Sequence, residues 1–164
     1  MLAGDRNAFH QLVMRHESRL RAFVGRLAGP AVGDELAQET FLRAWTHARD
    51  YRGEGRFSSW LLGIGWRLFL DHHRREQRRQ RLAVLAEPEM ADHDTSDPGA
   101  RLDMERLLAL LEPGEKAAII LCDGHGWSHS EAAAILALPL GTLKSHVARA
   151  KAKMRAHIEG NVVR

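Results

Sequence analysis

Residues 127–154 read WSHSEAAAILALPLGTLKSHVARAKAKM, and this stretch decides the fold. Ser128 and Glu131 stand at the S-x-x-E spacing of a capping box, in which each side chain accepts a backbone N–H that the first helical turn leaves unpaired. A helix starts here, and Ala132, Ala133 and Ile135 give it a small-residue face that lets another helix come close. Ala137-Leu138-Pro139 supplies a short turn, and Pro139 suits the first position of a second helix, where its missing N–H costs nothing. That second helix buries Leu143, Val147, Ala150 and Met154 and sends Thr142, Lys144, Ser145, His146, Arg149 and Lys153 elsewhere. Helix, tight turn and cationic helix is helix-turn-helix logic, with the second helix entering the major groove and offering its N-terminal residues to base edges. The bland alternative is a helical hairpin with a solvated basic face. Cap, turn and cation stripe together favour the first reading.

The rest of the chain is helical in period too. Phe9, Leu12, Val13, Leu20, Phe23, Val24 and Leu27 form one apolar stripe, which Gly29-Pro30 ends. Asp34 is a good N-cap for a second helix carrying Leu36, Ala37, Phe41, Ala44, Trp45 and Ala48. A glycine-bearing loop, YRGEGRF (51–57), leads to Ser58 or Ser59 as the next cap. The third helix runs through Trp60, Leu61, Ile64 and Leu68 into a cluster of Arg74, Arg75, Arg78, Arg79 and Arg81. Residues 86–100, AEPEMADHDTSDPGA, hold two prolines, a glycine, acids and no apolar period, and so read as a flexible acidic linker. Beyond it, Leu102, Leu107, Leu108 and Leu111 mark a helix stopped before Pro113-Gly114, and a short one follows from Glu115 to about Cys122. No segment alternates for long enough to argue a strand. The expected fold is all-α, with two small helical domains, 1–85 and 101–164, joined by 86–100.

Composition narrows the function. The 164 residues are 45% hydrophobic and 27% charged, ordinary for a globular chain and too apolar for a disordered one. The single cysteine, Cys122, excludes an intrachain disulfide framework and fits a reducing compartment. No apolar run approaches the ~18 residues of a membrane span, and MLAGDRNAF lacks the basic-then-apolar order of a signal peptide. A cytoplasmic protein is expected. Lys and Arg total 24 against 21 Asp and Glu, and only Lys116, Lys144, Lys151 and Lys153 are lysines. Arginine suits bidentate phosphate and base contacts, although genome composition produces the same bias. The charges run basic, acidic, basic along the chain.

Two further segments carry chemistry. Residues 51–75 interleave Tyr51, Phe57, Trp60, Trp66 and Phe69 with Arg52, Arg56, Arg67, Arg74 and Arg75. Unpaired bases stack on aromatic faces while cations follow the phosphates, so this composition suits single-stranded DNA; singly, each aromatic fits a core position equally well. DELAQETFLRAW (34–45) places Glu35, Gln38 and Glu39 on one face near a helix N-terminus, where acids are favoured. Cys122, His125 and His129, spaced C-x2-H-x3-H, with His72-His73 as a further source, could ligate zinc, but ten histidines make such clusters common by chance. No metal or cofactor is expected. With no phosphate loop, nucleophile elbow or convincing carboxylate pair, and with Asp71-His72 reading as helix surface, the chain is not expected to be an enzyme.

Residues 131–147 resemble the promoter-binding helix-turn-helix of bacterial extracytoplasmic-function sigma factors, a branch of the sigma-70 family, with Gly141-Thr142-Leu143-Lys144-Ser145 matching the recognition-helix signature. DELAQETFLRAW resembles that family's core-polymerase-binding segment, and RFSSWLLGIGWRLFLDHHRR (56–75) its promoter-melting, minus-ten-reading segment. The three motifs fall in family order over almost the whole chain. The resemblance implies that Glu35, Gln38 and Glu39 bind core RNA polymerase, with Leu36, Phe41 and Trp45 in support. It assigns Arg52, Arg56, Phe57, Ser59, Trp60, Trp66, Arg67, Arg74 and Arg75 to minus-ten DNA, and Thr142, Lys144, Ser145, His146, Arg149 and Lys153 to the minus-thirty-five duplex. Promoter DNA and an anti-sigma factor are the other implied partners, and the free protein is expected to be a monomer. Trp66, Arg67, Ala137 and His146 depart from the family pattern: Arg67 stands for a usual Asn, Ala137 for a turn Gly and His146 for a usual Arg. Two other functions fit the same helices, a sigma mimic that holds a partner and a stand-alone repressor.

Overall fold

The computed structural model describes residues 5–84 and 100–162, and every element among them is helical. Helix α1 spans Arg6–Ala28, opened by Asp5, whose carboxylate accepts the N–H groups of Asn7 and Ala8 at 3.0 Å. Helix α2, Pro30–Thr46, follows after one residue, Gly29, at φ +87. It begins four residues before the expected Asp34, because Pro30 takes an N-terminal position where no N–H is needed. Asp34 turns sideways instead, accepting from Arg21 at 2.6 Å.

A 3-10 turn, Ala48–Asp50, leads to α3, Phe57–Ala83, whose N-cap is Arg56 without a side-chain cap bond. Ser58, an expected cap, is buried within the first turn. Helix α4 covers Ala100–Ala109, and all of the expected linker except Ala100 lies outside the described residues. Helix α5, Pro113–Ile119, runs into a π-helical turn, Ile120–Gly124. Helices α6, His129–Leu136, and α7, Leu140–Val162, complete the described residues.

Two glycines set how closely the first three helices pack. Gly33 meets Gly25 so tightly that a Cβ on Gly33 would lie 2.5 Å from the Gly25 Cα, so α1 and α2 cross backbone to backbone. Gly65 of α3 lies under Leu20, Val24 and Thr40, where a Cβ would come within 3.1 to 3.4 Å of all three. Leu20, Phe23, Val24, Leu61 and Leu62 have at most 1% exposure at this crossing. Full burial of such side chains contributes about 1.5–3 kcal/mol each. Thr40 is buried there because its hydroxyl donates to the Leu36 carbonyl at 2.6 Å.

The second group of helices closes around Leu143, Val147 and Ala150 of α7, which packs against α5, with its buried Ala117 and Ala118, and against α6. The two groups are in contact. Helix α6 lies against α3, and α5 and the π turn lie against α1, so buried apolar residues run without a break from one group to the other.

Candidate nucleic-acid interface

The α6–α7 unit forms as its sequence dictates. The Ser128 hydroxyl accepts the Glu131 N–H at 3.2 Å, and the Glu131 carboxylate accepts the Ser128 N–H at 2.9 Å. Ala137 ends α6 at φ 52 and ψ 47, the left-handed region where a glycine carries no penalty. Helix α7 opens at Leu140, one residue after the expected Pro139, whose carbonyl accepts the Leu143 N–H at 3.0 Å.

The six cationic and polar side chains of α7 separate into two sets. Lys144 and Ser145 are exposed near its N-terminus, and Thr142 is partly exposed beside them. His146, Arg149 and Lys153, spaced i, i+3 and i+7, turn toward α5. Their focus is Glu115, 3% exposed: Lys153 Nζ donates to it at 2.7 Å and Arg149 Nε lies 3.5 Å away. The Glu112 N–H also donates to this carboxylate, at 3.1 Å. Burial works to raise the Glu115 pKa, but the Lys153 bond, the Glu112 N–H and the two positive charges outweigh it and hold the carboxyl below its usual range. The His146 ring lies against Gly114, with Arg149 Nη2 3.1 Å from its Nδ1. Burial first, and then Arg149, press its pKa below the ordinary value, with Glu115 partly opposing. His146 therefore does not share the outward face of Lys144, as the sequence reading expects.

Residues 51–75 divide in the same way. Tyr51, Phe57 and Trp60 form a half-buried triad with ring centroids 5.3 to 5.6 Å apart. The Tyr51 hydroxyl donates to the Gly55 carbonyl at 3.0 Å and so closes the loop, which turns at Gly53 and Gly55 with positive φ. Ser59 is partly exposed next to the triad, while Arg52, Arg56, Arg67, Arg74 and Arg75 are all exposed. Trp66 belongs to the interior: it is 5% exposed and stacks on Phe69 at 5.6 Å, which in turn stacks on His73. A nucleic acid reaches it only if the core opens. Arg74 pairs with Asp71 at 3.4 Å, and Arg75 donates to the Asp71 carbonyl at 3.2 Å, so both have partners within their own helix.

Glu35 and Glu39 of α2 line one wall of an open groove whose other wall is Leu68, His72, Arg75, Glu76 and Arg79 of α3. Gln38 is exposed, and Glu39 pairs with Arg43 at 2.9 Å. The groove brings Arg75 beside the acidic face, a neighbour that sequence spacing of 36 to 40 residues hides. Phe41 and Trp45 are half-buried, with Trp45 4.9 Å from Phe9.

Cys122, His125 and His129 do not converge. Among the described residues no three His, Cys, Asp or Glu side chains are placed to hold a metal ion. Burial raises the Cys122 thiol pKa, and His125 sits edge-on to Phe23 at 6.4 Å. None of the described helices is long and apolar enough to cross a membrane.

Comparison with known proteins gives this arrangement its family. Residues 12–79 match Sigma-70 region 2, and residues 101–154 match Sigma-70, region 4. The chain is 35% identical to the ECF RNA polymerase sigma factor SigE of Mycolicibacterium smegmatis, over 94% of its own length and 64% of that relative's. It is 33% identical to the RNA polymerase sigma factor NccH of Alcaligenes xylosoxydans xylosoxydans, covering 98% of this chain and 91% of the other. The sigma factor RpoE from Bartonella quintana, solved in complex with the anti-sigma factor NepR, superposes with a TM-score of 0.78 and 26% identity over 93% of this chain and 97% of its own. The chain belongs to the extracytoplasmic-function RNA polymerase sigma factors of the sigma-70 family.

Proposed function

We propose that this chain binds core RNA polymerase in the cytoplasm through α2, opens and reads minus-ten DNA with the α3 N-terminal segment, and reads the minus-thirty-five duplex with α7. The observation that carries the reading is the order of its parts: a groove of mixed charge holding Glu35 and Glu39, an aromatic-cationic loop and an exposed α7 N-terminus follow one another within the two matched regions. The domain limits proposed are 1–85 and 101–164, with 86–100 as the connection. Glu35, Gln38 and Glu39 meet the polymerase, and Arg75 lines the same groove. Arg52, Arg56, Phe57, Ser59, Trp60 and Arg67 offer a half-open aromatic triad ringed by cations, suited to unpaired bases and their phosphates. Thr142, Lys144 and Ser145 are the side chains poised for base edges. Arg149 and Lys153 reach phosphates only by leaving Glu115, and the anionic backbone would compete for them. An anti-sigma factor is the proposed regulator, and the chain acts without a catalytic group of its own.

Transcription by core polymerase on supercoiled DNA from the source genome, with and without the protein, tests this reading. New, sequence-specific start sites are expected only with the protein. Glu35→Lys with Glu39→Lys should abolish them together with co-purification of the core enzyme, at unchanged helicity. Active core polymerase that gains no new start sites would overturn the assignment.

A further inference from the structure

Trp127 comes from the loop before α6, yet two arginines of the first helical group lie over its ring. Arg19 of α1 and Arg56, the N-cap of α3, each place their guanidinium carbon 5.8 Å from its centroid. Cations over an indole face are held by the ring quadrupole, most strongly where water is excluded, and Trp127 is 5% exposed. Arg56 also approaches Glu131 of α6 at 3.6 Å; that pair is open to solvent and contributes little alone. Around the clamp, α6 lies on α3 at Gly63, where a Cβ would meet the Ile135 carbonyl at 3.4 Å. Lys116 Nζ donates to the Leu27 carbonyl at 3.0 Å and so caps the last turn of α1 from the other group.

We propose that Trp127, gripped by Arg19 and Arg56, is an intramolecular latch that closes the free protein and withholds the α3 N-terminal face from DNA until it opens. The inference rests on the function proposed above for that face. Arg56 is drawn toward Trp127 and Glu131 in the closed form, although its side chain stays open to solvent, and α6 occupies the approach to α3 at Gly63. The latch is built to release. Among the described residues the buried Trp127 indole N–H has no hydrogen-bond partner, so closing strands a donor that opening returns to water. Every group in the clamp is soluble when exposed, except the indole itself.

Small-angle scattering of the free, full-length protein tests the closure without reference to polymerase. A closed chain of this length has a radius of gyration of about 15 Å, and two groups separated by a freely extended connection exceed about 20 Å. Arg19→Ala with Glu131→Gln removes one cation and the outer ion pair, while Gln at that position keeps the capping box of α6. Gly63→Gln, as a second variant, wedges α6 away while improving the helix propensity of α3. We expect wild type near the closed value, both variants toward the open one, and circular dichroism unchanged. A fluorescent mixed-sequence single-stranded 20-mer should bind the Arg19→Ala/Glu131→Gln protein at least fivefold more tightly than wild type. An extended wild type, or two variants that stay compact, would overturn the latch. Opening without gain in oligonucleotide binding would overturn its gating role. Failure of the functional reading itself shows separately, as absent transcripts from wild type with core enzyme.

Discussion

Replacing Glu115 by alanine removes three interactions at once: the acceptor for the Glu112 N–H, the bond from Lys153 at 2.7 Å and the approach of Arg149 at 3.5 Å. Loss of the helix-cap contact costs about 1 kcal/mol. A hydrogen bond to a charged group contributes ~1.5–3 kcal/mol where water is excluded, but Lys153 is 42% exposed and resolvates when freed. About 1 kcal/mol remains for it, and Arg149, at 58% exposure, adds little. The total is about 2 kcal/mol, and at about 2–4 °C per kcal/mol for a chain of this size the midpoint should fall by roughly 4–8 °C. Glu115→Gln keeps an oxygen for the Glu112 N–H and should lose about half as much. The carboxyl is held below the ordinary value of 4.5, so its stabilisation is complete above that pH and fades as pH falls through the depressed native value. Thermal unfolding of wild type and Glu115→Gln from pH 7 to pH 3 should therefore show two curves that converge in acid. Midpoints that coincide at pH 7, or a gap that does not narrow as the pH falls, would refute the reasoning. In DNA binding, the same substitution frees Arg149 and Lys153, and each that reaches a phosphate should steepen the salt dependence by about one unit.

Three shorter predictions follow from the packing. Gly33→Ala forces a Cβ to 2.5 Å from the Gly25 Cα, which is backbone and cannot step aside, so urea unfolding should show a loss of about 1–3 kcal/mol even after the gain in helix propensity. Ala137→Gly relieves a left-handed residue and should raise stability by about 0.5–1 kcal/mol; a loss would mean that the turn is not strained by its methyl group. His146, pressed toward neutrality by burial and Arg149, contributes stability that is complete above its unfolded value of about 6.5 and is lost as pH falls below it. Its imidazole resonances should titrate below that value in the free protein, and an upward shift would place the ring in a different environment.

Where local signals carried their own partners, the sequence was readable. The Ser128–Glu131 box, the short turn at Ala137-Leu138-Pro139 and the apolar stripe of α1 all formed as expected, with Ala137 left-handed where the family pattern has a glycine. Start points were less legible where two residue types compete: Pro30 opens α2 ahead of Asp34, and Arg56 precedes α3 although Ser58 looked the better cap. The candidate site shows the same limit. Lys144 is exposed as its position suggests, but nothing local reveals that Glu115, 38 residues before Lys153, gathers the far side of α7. Trp66 carries the same aromatic signature as Trp60, and only tertiary packing separates the buried ring from the half-open one. A capping-box spacing, Glu112-x-x-Glu115, was the available hint to the first case; the second left none.

The single-residue joint at Gly29 makes the heading of α2 a matter of counting. With no slack between α1 and α2, and their backbones abutting at Gly25 and Gly33, neither helix can rotate to absorb a change in chain length. An insertion at position 29 would thus have to break the Gly25–Gly33 crossing, and with it the placing of Glu35 and Glu39 in the groove they share with α3, without altering a single residue that lines it. The corner is an indexing device, and its tolerance to insertion should be close to zero while that of the loop 51–56 is not.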